Sequence, residues 1–343
     1  MPRATGPQTT RRRLSRIGLA LAVAVGSAGL TAMGGDGEDD VATGGAHFST
    51  ADEETAKLGS DAAPGEYPRT IVHAMGETEL TERPERVVVL DGGELDDVVS
   101  LGVTPVGIAY AEGSPQAPAY LPIDVSDVAE VGTINALNLE AIAALEPDLI
   151  IGSQLRAADL YPGLSEIAPT VFSIRPGFPW KENFLLVADA LGMETEAIDL
   201  LNAYQARATE VGDLVDGDPT ISILRFMPDK IRLYGNLSFI GVVLADAGLS
   251  RPANQDFDEL AVEISTEQID QADGDWVFYS SYGGADATDE GEVVDGPLWG
   301  TLGAVADGQA IAVDDELWFL GLGPSGAMAL LDELAGILRS ADA

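Results

Sequence analysis

The residues of this chain that invite a chemical reading cluster near its end. Gly321, Gly323 and Gly326 fall at G-x-G-x-x-G spacing behind an apolar run. In dinucleotide folds that arrangement brings backbone N–H groups to a pyrophosphate. It needs the glycines after the first strand and an acidic residue about 20 positions on. With Ala343 closing the sequence, no second strand is expected, and Pro324 sits in the first turn of the following helix, where its missing N–H costs nothing. Gly323-Pro324-Ser325-Gly326-Ala327 approaches a nucleophile elbow, but that scaffold orders its triad as Ser, acid, His, and the two histidines, His47 and His73, lie far upstream. Tyr279 and Tyr282 in "YSSYGG" offer phenolates to a bare ferric ion or a haem. Such sites enlist several ligands, and His73 stands alone. Carboxylate pairs for acid–base chemistry arise by chance among 57 acidic residues and carry no weight. The reading expects no enzyme and no protein-held metal, and takes "LWFLGLGPSG" as a strand, a sharp turn and a helix.

Composition narrows the classes further. The chain has 343 residues, 46% of them hydrophobic, enough for two modest lobes with their own cores. Eighteen basic residues face 57 acidic ones, a formal net charge of -39. A body so acidic does not bind nucleic-acid phosphates as its main business. It contains no cysteine, which excludes disulfides, thiolate metal sites and cysteine nucleophiles. Residues 1–33 read as an export signal: Arg11, Arg12, Arg13 and Arg16 precede an apolar run, Ile17 to Ala32, too short to span a bilayer comfortably. "TRRRLSR" suits a twin-arginine route or the general one. "LTAMGG" is similar to a lipoprotein cleavage site, except that Met33 stands where the lipidated cysteine would be, so anchoring is left open. Residues 34–68, acidic and rich in Gly, Ala, Thr and Ser, read as a disordered tether.

From Arg69 onward short apolar runs alternate with helical patterns, which implies parallel sheets covered by helices. "RVVVL" is followed by helical "ELDDVVSLGV", and "NLEAIAALEPDLIIGS" is a helix running into a strand. The second half repeats the plan. Glu140-x-Ile142 with Asp148 to Ser153 is matched by Glu267-x-Ile269 with Asp275 to Ser280, and "RLYGNLSFIGVVLADAGL" echoes "VVVLDGGELDDVVSLGV". The lobes are expected at residues 69–181 and 218–343. Between them, residues 182–217 carry apolar residues at helical spacing, Phe184, Val187, Ala188 and Leu191, then Ile198, Leu201, Tyr204 and Ala208. A long, rigid interlobe helix is expected there.

Taken together, these segments resemble the helix-linked solute-binding proteins of ATP-driven (ABC) importers, and within them the ferric-siderophore branch. The resemblance is carried by "RVVVLDGGELDDVVSLGVTPVG", "NLEAIAALEPDLIIGSQLR", "YPGLSEIAPTV", "WKENF", "ILRFMPDKIRLYG" and "LWFLGLGP". It implies an α/β protein of two Rossmann-like lobes, the class III periplasmic-binding-protein fold. It also implies a monomer with no intrinsic cofactor, whose partners are a ferric siderophore and an importer permease with its ATPase subunits. Cobalamin and haem share the scaffold and stay open as cargo, and hydroxamate siderophores are favoured over trianionic catecholates for so acidic a body.

The resemblance also assigns roles. Arg156, just after strand Leu149–Ile151, matches an arginine that contacts the chelating groups in relatives. Arg225 and Arg232 flank the hairpin turn "MPDK" and Tyr234 follows; a guanidinium fork suits the oxygens around a ferric ion. Trp180, Tyr282 and Trp318 are expected to wall the cleft, Trp276 to be core, and Trp299 to be either. Glu140 and Glu267, one per lobe, match the glutamates that dock on permease arginines. The N-terminus of the last helix is expected beside the cleft, where it would favour ligand oxygens.

Overall fold

The computed structural model describes residues 48–111 and 117–341; the export signal, Met33 and residues 34–47 lie outside them. The chain runs through β1 (Arg69–His73), β2 (Gly76–Leu80), β3 (Val87–Val89), α1 (Gly92–Ser100), β4 (Gly107–Tyr110), β5 (Ala129–Thr133), β6 (Ala136–Leu137) and α2 (Leu139–Ala144). Then come β7 (Leu149–Ser153), α3 (Gln154–Ala157), α4 (Tyr161–Ile167), β8 (Thr170–Ser173), α5 (Trp180–Leu191) and α6 (Glu194–Gly212). The second half holds β9 (Ile221–Met227), β10 (Lys230–Tyr234), α7 (Phe239–Asp246), β11 (Ala261–Ile264), β12 (Trp276–Ser281), α8 (Glu290–Val294), α9 (Gly303–Ala306), β13 (Ala310–Ala312), α10 (Asp315–Leu320) and α11 (Pro324–Ala341).

Three sheets result among the described residues: an antiparallel β1-β2 hairpin and two larger sheets, ordered β6-β5-β4-β3-β7-β8 and β11-β10-β9-β12-β13, that form the lobes. Strand alternation sorts their side chains into three apolar layers. Val87, Val89 and Ile151 of the first sheet and Ile221, Ile223 and Phe278 of the second enter one shared central core. Val88, Leu90 and Ile150 face outward under α2 and α4, and Leu224, Phe226 and Val277 face outward on the other lobe. The internal echo has a physical counterpart. Asp148, before β7, accepts the Glu85 and Arg86 N–H groups at 2.8 Å each. Asp275, before β12, accepts the Thr220 N–H at 2.7 Å. Each aspartate therefore pins the entry of the neighbouring parallel strand, β3 or β9. The echo between β3–α1 and β10–α7 is looser than expected, because β10 is antiparallel to both β9 and β11. The strand equivalent to β3 is β9, and the hairpin is an addition.

Three expectations are corrected here. The connection between lobes is two helices, with Gly192 in the left-handed conformation (φ 63) between α5 and α6; an added Cβ there would come within 3.0 Å of the Tyr67 ring. The C-terminal helix α11 packs on α6, α1 and α5 as well as on α10, so it belongs to the shared centre and not to the second lobe alone. Residues 48–68, expected to be tether, are docked: Phe48 and Thr55 are buried, Glu182 accepts the Ala51 N–H at 2.6 Å, and Asp189 accepts the Ser60 hydroxyl at 2.7 Å. Composition failed because this strap is held by polar bonds to acids of α5, which no apolar periodicity announces.

Candidate functional site

A cleft of about 640 Å³ opens where the ends of β12 and β13 meet the N-lobe segment after β4. Its lining includes Ala111 from the first lobe and Tyr282, Asp314, Asp315, Glu316 and Leu320 from the second. Parallel strands end here, the position where open α/β sheets take ligands. The volume lies within the range of small-molecule sites.

The second lobe's wall is built on β9, β12 and α10. Arg225 stands opposite Ser280 on β12 and Arg232 on β10. Its Nε donates to Asp315 Oδ1 at 2.7 Å, and Nη2 donates to Oδ2. Its Nη1 lies 3.4 Å from the Tyr234 hydroxyl. Asp314 caps α10 by accepting the Leu317 N–H at 2.9 Å, which places Asp315 at the first residue of the helix. "ELWFL" is therefore helical, not the end of a strand; an apolar run this short does not distinguish the two.

On the first lobe, Asp91 follows β3 and caps α1, accepting the Gly92 N–H at 2.6 Å. Arg156 Nε lies 3.3 Å from its Oδ2, with the arginine side chain 42% exposed and the aspartate 3%. Burial raises the Asp91 pKa while the Arg156 charge opposes it. Glu94, behind this pair, accepts the Ser173 hydroxyl at 3.2 Å. Burial, reinforced by the Asp91 charge, raises its pKa to about 8.

The expected site residues separate. Only Tyr282, 46% exposed, lines the cleft; Arg156 lies on α3 just after β7, while Arg225 within β9 and Tyr234 at the end of β10 are buried behind the second lobe's wall. Arg232 is bound on the sheet surface to Glu263 at 3.2 Å, together with Lys230. Trp180 and Trp318 are each 0% exposed and cannot wall a cleft. Trp180 packs edge-on against Tyr204 at 4.8 Å; Trp318 packs on Phe278 at 4.8 Å and donates to Glu333 at 3.0 Å. Trp276 and Trp299 are buried too. The N-terminus of α11 holds no open anion site. Asp96 of α1 fills it, accepting the Ser325 and Gly326 N–H groups at 2.9 Å each. Gly323 is required there because a Cβ would stand 2.6 Å from the Asp96 side chain, so the glycine turn serves a contact within the protein. Asp91, Glu94, Asp96 and Asp315 went unnoticed in the sequence. Only Asp91, before Gly-Gly at a strand end, carries a capping signal.

A two-lobed body with a cleft at its strand ends is the architecture of a solute receptor, and comparison with known proteins agrees. The family model described as periplasmic binding protein matches residues 87–317. The chain is 34% identical over 283 residues to the probable siderophore-binding lipoprotein YfiY of Bacillus subtilis (strain 168), covering 78% of this chain and 86% of that one. It is 31% identical over 265 residues to the Fe(3+)-citrate-binding protein YfmC of the same organism, covering 76% and 82%. The crystal structure of Staphylococcus aureus SirA complexed with staphyloferrin B superposes with a TM-score of 0.72 at 32% identity, covering 79% of this chain and 98% of that one. The chain belongs to the periplasmic binding protein family. Its fold is the helix-linked, two-lobed class, and it is a binding protein rather than an enzyme.

Proposed function

We propose that this protein is an exported, monomeric receptor that captures a ferric siderophore in the interlobe cleft and delivers it to the permease of an ABC importer. The observation that carries the reading is the cleft itself, of a size for one chelate, in a chain whose relatives are named for siderophores and ferric citrate. A prechelated iron also suits the side chains: among the described residues no group of three or more His, Cys, Asp or Glu could hold a metal. Hydroxamates are the favoured class, because three singly charged hydroxamates cancel the ferric charge while three doubly charged catecholates leave a trianion facing acidic walls. Arg156, part-exposed on α3 beyond the residues that line the cleft, is assigned to chelate oxygens as the lobes close on the ligand, and Tyr282, in the lining, offers a ring face. Glu140 and Glu267, both exposed in the first turns of helices after equivalent positions in the two lobes, are assigned to permease docking.

A tryptophan-fluorescence titration tests this. Ferric trihydroxamate, its iron-free form, ferric catecholate, ferric citrate, haem and cobalamin are added in turn. Saturable submicromolar quenching by the ferric hydroxamate, after inner-filter correction, is the expected result. Binding of haem or cobalamin alone would overturn the cargo, and binding of none by folded protein would overturn the receptor.

A further inference from the structure

Resting on that reading, we infer that Asp315 is a specificity-determining contact for a positively charged group on the ligand, and that Arg225 is its positioning residue and not a contact for chelate oxygens. Arg225 is 5% exposed. Two of its nitrogens form a fork with the Asp315 carboxylate and a third turns to Tyr234. The Tyr282 and Phe319 rings lie 4.9 and 5.0 Å from its guanidinium carbon. An incoming oxygen would have to displace a bidentate carboxylate from a cation already covered by aromatic rings.

Asp315 is placed the other way round: it lines the cleft and its side chain is 21% exposed. A carboxylate has about four acceptor positions. Arg225 takes two, and the Ser280 hydroxyl donates to Oδ1 at 2.7 Å for a third. Acceptor capacity therefore remains on a group whose orientation is fixed from behind on three sides. Its neighbours in the wall are Asp314, Glu316 and Glu290, and no lysine or arginine is among the described residues lining the cleft. Arg225 offsets one carboxylate of this wall, Asp315, and leaves Asp314, Glu316 and Glu290 without a basic partner in the lining. A ferric complex that is neutral at its metal centre and carries a protonated amine is the class this wall accepts. A net anionic chelate meets an excess of like charge in a partly enclosed space.

The test uses two ferric complexes of one linear trihydroxamate, the first ending in a free amine and the second with that amine acetylated. They differ by a single positive charge. Both are titrated into the full chain and into its D315N and E290Q variants, with ferric catecholate and ferric citrate as anionic comparisons. The amine-bearing complex should bind about five- to tenfold more tightly, the size of a partly screened ion pair. Added salt should narrow the gap, D315N should bring the two complexes within about twofold, and E290Q should narrow the gap in part. Equal binding by the unmodified protein, or tighter binding of the acetylated complex, would overturn the inference. So would a D315N variant that gains affinity for anionic chelates, since Asp315 would then be a stand-in that ligands displace from Arg225. Should D315N fail to fold, having left Arg225 without its counter-charge, the E290Q comparison and the salt dependence decide. Binding of anionic chelates alone overturns this inference and keeps the receptor; binding of no ferric chelate overturns both.

Discussion

Arg156 and Arg225 share a side chain and differ in everything around it. Arg225 is sealed beneath rings and spends its fork on Asp315. Arg156 is tied through Nε to Asp91 and remains 42% exposed in its side chain. A guanidinium anchored at one edge is pre-oriented, so little rotamer entropy is lost when its outer edge meets ligand oxygens. Arg156→Ala should therefore weaken ferric-chelate binding about tenfold or more, the magnitude of a lost charge-assisted hydrogen bond. Asp91→Asn, which frees the arginine without removing it, should weaken binding by less. Equal affinities across the three proteins, measured by fluorescence titration, would take Arg156 out of the site. The tryptophans teach the complementary lesson. Trp180 and Trp318 sit beside glycine turns just as a cleft aromatic would, yet both are wholly buried, because a large ring next to a turn fills a core corner as readily as it walls a cavity.

Helix α1 shows what an element's context does to its residues. "DGGELDDVV" puts Asp91, Glu94, Asp96 and Asp97 within one short helix and its cap, each no more than 2% exposed. Burial raises the Glu94 pKa to about 8 and the Asp96 pKa to about 6, the latter despite hydrogen bonds from Gly326 and Ser325 that favour the charged form. Asp97 is likewise raised, by burial first and then by the neighbouring carboxylates. These folded-state values exceed the unfolded ones, so between them the folded protein binds more protons and stability falls as pH rises. For Glu94 that window runs from 4.5 to about 8. Denaturant unfolding should show a loss of stability from pH 5 to pH 8.5. Glu94→Gln should remove part of that slope, on the order of one to a few kcal/mol across the window, with Asp91, Asp96, Asp97 and Arg156 still in place. An unchanged slope in the variant would refute the assignment. The helix itself was legible from its apolar spacing and its stop at Gly102, as were the strands "VVV" and "LIIGS". The burial of its acids was not, since in a chain with 57 acidic residues they read as a solvated face. They are buried because α1 is pressed between its own sheet and α11, and Asp96 is spent on capping that helix. The same limit hid Asp315. Sequence showed an arginine at a strand end, but not the carboxylate from another element that occupies it.

At the scale of the whole molecule, the central apolar layer is continuous from one sheet through α5, α6 and α11 to the other. The lobes are also cross-linked by polar bonds: Asp96 caps α11, Ser100 meets Ser325 at 2.6 Å, and the Ala119 N–H donates to Glu316 at 3.1 Å. A body joined by a shared core should resist wide opening, and its two distal faces would then form a fixed pair. Glu140 and Glu267 stand on those faces, each two positions before an isoleucine, Ile142 or Ile269, that is at most 1% exposed and anchors its turn. Two carboxylates held at a constant separation can select orientation on a permease and speed the encounter while contributing little to ligand affinity. Glu140→Lys with Glu267→Lys should leave the titration with ferric chelate unchanged and reduce iron uptake by cells about tenfold or more. The same change of charge at two other exposed acids, Glu53→Lys with Glu196→Lys, should leave uptake nearly intact, because the effect belongs to position and not to net charge. Equal uptake by the two double variants would mean that the acidic body as a whole, and not this pair, guides the protein to its importer.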